Sequence, residues 1–253
     1  MTKIVPFDKN YNAVDKVEFI SNFILILSII LSVGTFVLFN VKVEKYEGYG
    51  NILNSINCIL TVAYFIADVA GNYLFQRAEN KRRNDFFDNS LNTKFSVQNS
   101  QDYFTNDNIA PGINKLGVNS FENSFITFSV AEKMLTSMVI KSIIIFLVFI
   151  SLAVFTNQAF IITVLQWVLP YTIIQRTIRL FVFKERIREV FNRFQTIYTT
   201  INANDRNEPI LYNTTTYETI LSWACIKLDS KTFDKMNPSL STQWTALKTR
   251  YNI

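Results

Sequence analysis

The chain has 253 residues, 49% hydrophobic and 15% aromatic, with 6 Gly, 5 Pro and its apolar residues gathered into blocks; this points away from two globular domains and toward membrane spans with one modest soluble portion. It has no histidine, which removes the commonest general base, the commonest zinc ligand and the usual pH switch near neutrality. A formal net charge of +5 is small for a nucleic-acid binder, and the two cysteines, Cys58 and Cys225, read as free thiols in apolar company rather than as a disulfide.

Residues 1–18 are polar, with Lys3, Lys9 and Lys16 balanced by Asp8, Asp15 and Glu18, and lack the basic start and small-residue cleavage site of a removable signal peptide. From Phe19 to Val41 no residue is charged. At about 1.5 Å per residue this run covers roughly 34 Å, enough for a hydrocarbon core of about 30 Å. Lys42 to Gly48 then turns the chain into a second span, Tyr49 to Phe75, which closes a transmembrane hairpin over 19–75.

The second span is the most informative stretch. Asn54, Asn57, Thr61, Tyr64, Asp68 and Gly71 recur at alternating intervals of three and four, which stacks them on one side of a helix. Leu53, Ile56, Ile59, Leu60, Phe65, Ile66 and Val69 take the opposite side. Such a helix wants lipid behind it and protein or water in front of it.

Residues 76–133 form a hydrophilic insert whose charges cancel, opening with Arg77, Lys81, Arg82 and Arg83. A second hairpin follows over 134–175: Met134 to Phe155, interrupted by Lys141, and Ala159 to Gln175, interrupted by Pro170, with Thr156, Asn157 and Gln158 between them. Arg176, Arg179, Lys184, Arg186 and Arg188 come next, whereas Lys42 and Lys45 are the basic residues of the short connections. The positive-inside rule therefore places the insert and both termini in the cytoplasm and requires an even number of spans.

Residues 176–253 read as a helical cytoplasmic region. Ile187, Val190, Phe191, Phe194, Ile197 and Tyr198 continue the fourth helix amphipathically to about Thr199, and Asn202 to Pro209 reads as a flexible break. A helix restarts over Thr215 to Lys227 with Thr215 and Glu218 as a capping box, and a last short one covers Ser241 to Tyr251. The expected fold is thus all-α: a polytopic membrane protein with four transmembrane helices in two hairpins and a small, mainly helical cytoplasmic domain.

Two charges fall inside the predicted spans. Asp68 lies nine residues before Arg77 and Lys141 eight after Lys133, so each sits roughly 12 to 14 Å from the same face and the two are natural partners. The alternatives are an interhelical ion pair, a snorkelling lysine with Asp68 bonded to Asn or Tyr, or a cation-accepting path lined by the stripe. The stripe likewise reads either as glue between helices or as one wall of an oligomeric pore, since weaker polar rows recur in the first helix (Ser21, Ser28, Ser32, Thr35) and the fourth (Thr163, Gln166, Pro170, Thr177).

In the cytoplasmic part Arg82, Arg83, Asp85, Tyr103, Phe104, Asn119 and Asn123 are candidate ligand-binding residues: guanidiniums for phosphate, aromatic faces for stacking a base, Asn and Asp for its edges. The competing reading makes the aromatics a small core and the arginines markers of the cytoplasmic side. No phosphate loop, paired-cysteine motif or nucleophile elbow is present in the sequence, so no catalytic residue, metal ligand or cofactor is assigned and an enzyme is disfavoured.

The run Arg82-Arg83-Asn84-Asp85-Phe86-Phe87-Asp88-Asn89 after the second span and Asn119-Ser120-Phe121-Glu122-Asn123-Ser124-Phe125 before the third carry a resemblance. With the hairpin, insert, hairpin and helical-tail layout, the chain resembles the four-transmembrane effectors that accompany bacterial nucleotide-second-messenger antiphage systems (CBASS and its relatives). The resemblance implies an inner-membrane effector that senses a cyclic nucleotide through its cytoplasmic region and permeabilises the membrane, arresting or killing the cell; the recurrent polar faces, separately, point to a homo-oligomer. The alternative is a non-conducting membrane scaffold or sensor subunit acting through a partner protein; neither reading involves a nucleic acid polymer.

Overall fold

Each apolar run belongs to a helix that outlasts it. The computed structural model describes residues 4–40, 44–101, 103–154 and 160–253. Four long helices, α1 (Asp8–Asn40), α2 (Glu44–Leu91), α3 (Ile113–Val154) and α4 (Phe160–Thr200), are followed by a 3-10 turn at Ala203–Asp205 and by α5 (Asn207–Ala224) and α6 (Ser230–Tyr251). Among the described residues the fold is all-α, with one isolated antiparallel bridge between Ile4 and Gln101. Val41, Lys42 and the expected turn at Thr156–Gln158 lie outside the described residues; residues 44–48, expected to turn, are already helical.

The chain divides into two compact units. One gathers Tyr11–Leu74 and Met138–Ile178. It is polar inside and apolar outside, the inverse of a soluble domain. Ser21, Ser28, Thr35, Asn57 and Ser142 are buried beside Leu25 and Tyr64, whereas Phe19, Phe23 and Ile30 of α1, Ile59 and Phe65 of α2, and Ile144 and Leu147 of α3 are more than half exposed. Exposed apolar surface on this scale marks an interaction site. The helix Gly48–Leu91 is long and apolar enough to cross a membrane, and 11% of its apolar stretch is buried.

The other unit gathers Met1–Asn10, Phe75–Ser137 and Arg179–Ile253. Its centre is Phe121 on α3, fully buried. The rings of Phe191, Phe194 and Tyr198 from α4 and of Trp244 and Tyr251 from α6 stand 5.3 to 5.7 Å from it. Aromatic pairs at such separations add to the stabilisation from buried area. Helix α5 is tied in by polar contacts: Asn213 donates to the Val190 carbonyl (2.9 Å), Thr214 to Ser120 (3.0 Å), and Tyr217 pairs with Thr127 (2.9 Å).

The insert is mostly helix, because α2 runs on to Leu91, where Asn92 turns left-handed (φ 58°), and α3 begins at Ile113; two local expectations are corrected. Helix α5 starts at Asn207 rather than Thr215, since Pro209 falls in its first turn, where a proline is tolerated. Thr215 is accordingly mid-helix and donates to the Leu211 carbonyl at 2.8 Å instead of capping. Helix α6 starts at Ser230 rather than Ser241 because the Asp229 carboxylate accepts from the Thr232 amide (2.8 Å), and the helix continues through Pro238.

Gly117 allows the closest approach between elements of this unit. A Cβ there would lie 2.6 Å from the Tyr198 hydroxyl and 2.8 Å from Ile210 Cδ1. We expect Gly117→Ala to cost about 1–3 kcal/mol through overpacking, despite the higher helix propensity of alanine. The readout is the melting temperature of the detergent-solubilised protein; an unchanged value would mean that Tyr198 and Ile210 step aside freely.

Candidate functional site

Within the apolar unit the stripe of α2 is turned toward α1 and α4. At its centre the Asn57 carboxamide accepts from the Ser28 hydroxyl and donates to Ser32 Oγ at 2.9 Å; Ser32 in turn donates to the Ser28 carbonyl at 2.9 Å. Thr61 bonds back to the Asn57 carbonyl (2.9 Å), Asn54 is half-buried and Tyr64 is buried against Leu25, with Ile24, Ile29 and Ile173 packed around them. One polar group thus ties two turns of α1 to α2. The hydroxyls of Ser21 and Thr35 are buried with no hydrogen-bond partner among the described residues.

One end of the stripe is charged. Asp68 accepts from Arg176 Nη2 at 2.9 Å and from Asn72 at 3.2 Å; Arg176 Nη1 donates to Asn22 Oδ1 at 3.1 Å, and the guanidinium lies 5.6 Å from the Tyr64 ring centre. The cluster joins α1, α2 and α4. The partner of Asp68 is therefore Arg176, not Lys141, which is exposed and makes no ion pair among the described residues. The cause is helical geometry: Ser142 bonds to Thr177 of α4 at 2.6 Å, and its neighbour in sequence must point about 100° away.

These contacts bring Asn22, Asp68 and Arg176 together, with Ser142 of α3 meeting Thr177 beside Arg176. Thr163, Gln166 and Pro170, the fourth helix's polar row, lie outside the described side chains.

In the other unit most of the candidate ligand residues are already engaged. Arg82 pairs with Glu79 (2.9 Å) and Glu218 (2.5 Å), and Arg83 with Glu218 (3.1 Å) and the Ser222 hydroxyl. The Glu218 side chain is 7% exposed, so one carboxylate of α5 holds two guanidiniums of α2. Asp85 accepts from the Ser100 amide (2.7 Å) and hydroxyl (2.5 Å). Asp88, one turn on, accepts from the Phe95 and Ser96 amides and the Thr93 hydroxyl, each at 2.7 Å. The two aspartates thus clamp the segment after α2. Burial pushes the Asp88 carboxyl up, but those donors outweigh it and hold Asp88 below the usual carboxylate range.

Tyr103 packs edge-on against Phe7 (5.5 Å) and Phe104 (4.9 Å), and burial, opposed by Arg82, pushes its phenol above the ordinary value. Asn119 is buried in a network, donating to Ser90 (3.0 Å) and Asn89 (3.2 Å) and accepting from Asn106 (3.0 Å); Asn123 is half-buried. Glu122, beside it, is pushed up by burial, with Thr105 and Asn106 opposing.

Sequence reasoning missed Glu218 and Arg176 as partners. A signal existed for the first: two adjacent arginines entering a folded unit require a buried counter-charge. No cluster of three or more His, Cys, Asp or Glu side chains among the described residues is disposed to hold a metal ion, and Cys58 and Cys225 are free and half-buried. Comparison with protein-family models, with curated proteins and with solved structures finds no match to this chain.

Removing one member of the charged cluster should strand the other. With the Arg176 and Asp68 side chains 31% and 37% exposed, we expect Asp68→Ala to cost on the order of 1–2 kcal/mol, short of the fully buried case. Thermal unfolding in detergent reads it, and the exchanged pair Asp68→Arg with Arg176→Asp should recover most of the loss.

For Asp88 the depressed folded pKa means a stabilisation present above the unfolded value of about 3.9 and lost as pH falls through the lower folded value. The protection of the Phe95 and Ser96 amides against hydrogen exchange, each rate taken relative to its intrinsic rate at the same pH, should therefore be lost at acid pH in the wild type and already at neutral pH in Asp88→Asn.

Proposed function

We propose that this chain is a four-span helical protein of the bacterial inner membrane, with both termini cytoplasmic, that acts as a regulated permeability effector in antiphage defence. The observation that carries the membrane part is the inverted unit, in which isoleucine and phenylalanine face outward and Asn57, Ser28 and Asp68 face inward. Hydrocarbon favours that arrangement and water opposes it.

In this reading the described state is closed. The Asn57 carboxamide is engaged by α1, and the charge of Asp68 is matched by Arg176, so the centre and the charged end of the stripe are not free to meet an ion in one copy. Conduction then requires α1 and α2 to part, or the seam to be shared among copies of a homo-oligomer. A cyclic nucleotide bound by the aqueous unit would supply the bias, and a few kcal/mol of differential affinity suffices. Its phosphate would compete with Glu218 for Arg82 and Arg83, which frees α5 from α2.

A second reading, a non-conducting scaffold or sensor acting through a partner protein, is favoured by the same closure: a seam satisfied within one chain serves packing without any pore. Dye and ion leak from proteoliposomes of the purified chain, with and without a panel of cyclic nucleotides, separates the two. The effector reading expects nucleotide-dependent leak that Glu218→Gln makes constitutive or shifts in concentration. A tight vesicle under every nucleotide, with the protein shown to be inserted, leaves the scaffold.

A further inference from the structure

We propose that Lys141 and the apolar strip beside it on α3 form a contact site for an anionic phospholipid, the ammonium taking the headgroup phosphate and the strip an acyl chain. The inference rests on the membrane reading above and concerns the apolar unit alone.

Location comes first. Lys141 is the last charged residue before the uncharged run 142–175, and Arg176 is the first after it. Ser142 meets Thr177 at 2.6 Å, so the two ends of that run lie side by side and Lys141 stands at the charged end of the α3–α4 pair. A cation at such an end is where a headgroup phosphate is met. The two cations differ in company. Arg176 is held by Asp68 and Asn22, whereas Lys141 is exposed and has no hydrogen-bond or ion-pair partner among the described residues. The Ser142 bond sets that difference, because the residue before an inward side chain points about 100° away from it.

The surroundings suit a lipid. Ile140, Ile144 and Leu147 recur at intervals of four and three, which lines them up as one strip beside Lys141, and each is more than half exposed. Side chains of a helix lean toward its N-terminus, so the lysine stem lies back toward the start of the apolar run rather than deeper into it. Among the described side chains of this unit no carboxylate is left for the ammonium: Asp15 and Glu18 are not free, and Asp68 is held by Arg176 and Asn72. A second copy of the unit therefore brings no other described carboxylate to Lys141. An anionic phospholipid brings a phosphate and an acyl chain together, which matches an ammonium standing beside an apolar strip.

The test uses the full chain in vesicles, after flotation shows insertion. Ile144→Trp places a reporter on the strip, and its emission, taken as the difference from the parent chain with its three tryptophans, is quenched with phosphatidylglycerol or phosphatidylcholine brominated on the acyl chain. We expect stronger quenching by brominated phosphatidylglycerol. Lys141→Met in the same background should lower the ratio of the two association constants about fivefold, roughly the worth of one basic residue near an anionic surface, and Lys141→Arg should keep it. Leu147→Trp gives a second reporter if Ile144→Trp misfolds. A ratio near one, or a preference that Lys141→Met leaves unchanged, overturns the inference and spares the membrane reading. So does emission that neither brominated lipid quenches in protein that floats, the mark of a strip covered by a second copy. Protein that fails to float overturns both.

Discussion

A buried carboxamide must find its partners on a neighbouring helix, and Asn57 finds Ser28 and Ser32 on α1. The rest of the apolar unit is arranged around that requirement. The same rotation of α2 that presents Asn57 to α1 brings Tyr64 beside Leu25 and Asp68 within reach of Arg176, and it necessarily sends Ile59, Phe65 and Ile66 outward. Orientation of the helix is decided by its few polar side chains, and its many apolar ones follow.

The other unit obeys the opposite rule. Its interior is an aromatic cluster around Phe121, and Gly117 lies one turn earlier on α3, where the backbone must admit Ile210 and Tyr198. Several polar groups that penetrate this core find partners, Asn213 Nδ2 with a carbonyl, Thr214 with Ser120, Arg82 and Arg83 with Glu218, whereas Asn213 Oδ1, Glu218 Oε1 and the Tyr198 hydroxyl have none among the described residues. The pairing of Arg82 and Arg83 with Glu218 differs in kind. Two cations held by one carboxylate join α2 to α5 beside the Arg83–Ser222 and Gln76–Ser222 bonds, and an anion of suitable geometry is the ligand that competes for the two guanidiniums. That is why the proposed switch is placed there rather than at Asp85, whose oxygens already hold the backbone at Ser100.

The reading of residues 76–133 as a ligand-gathering insert was reshaped by backbone continuity. Asn84, Asp85 and Asp88 were legible as polar residues between spans, but their role depends on α2 running unbroken to Leu91, which lays Asp85 and Asp88 on one face, one turn apart, above the segment they clamp. Nothing in a list of Asn and Asp residues distinguishes a side chain that reads a ligand from one that caps its own loop. The distinction needs to know which amides lie within 3 Å.

Periodicity alone was enough to establish the helical class, the polar and apolar faces of α2, and the amphipathic continuation of α4, because each depends only on spacing along a single helix. Which charges meet was decided only in three dimensions. Asp68 and Lys141 looked paired by counting residues from the polar ends of their helices, yet Arg176 takes Asp68 because Ser142 faces Thr177 and turns Lys141 outward. Counting along a chain measures depth on one helix; it carries no information about the rotation and stagger of that helix against its neighbours, and those two quantities select the partners.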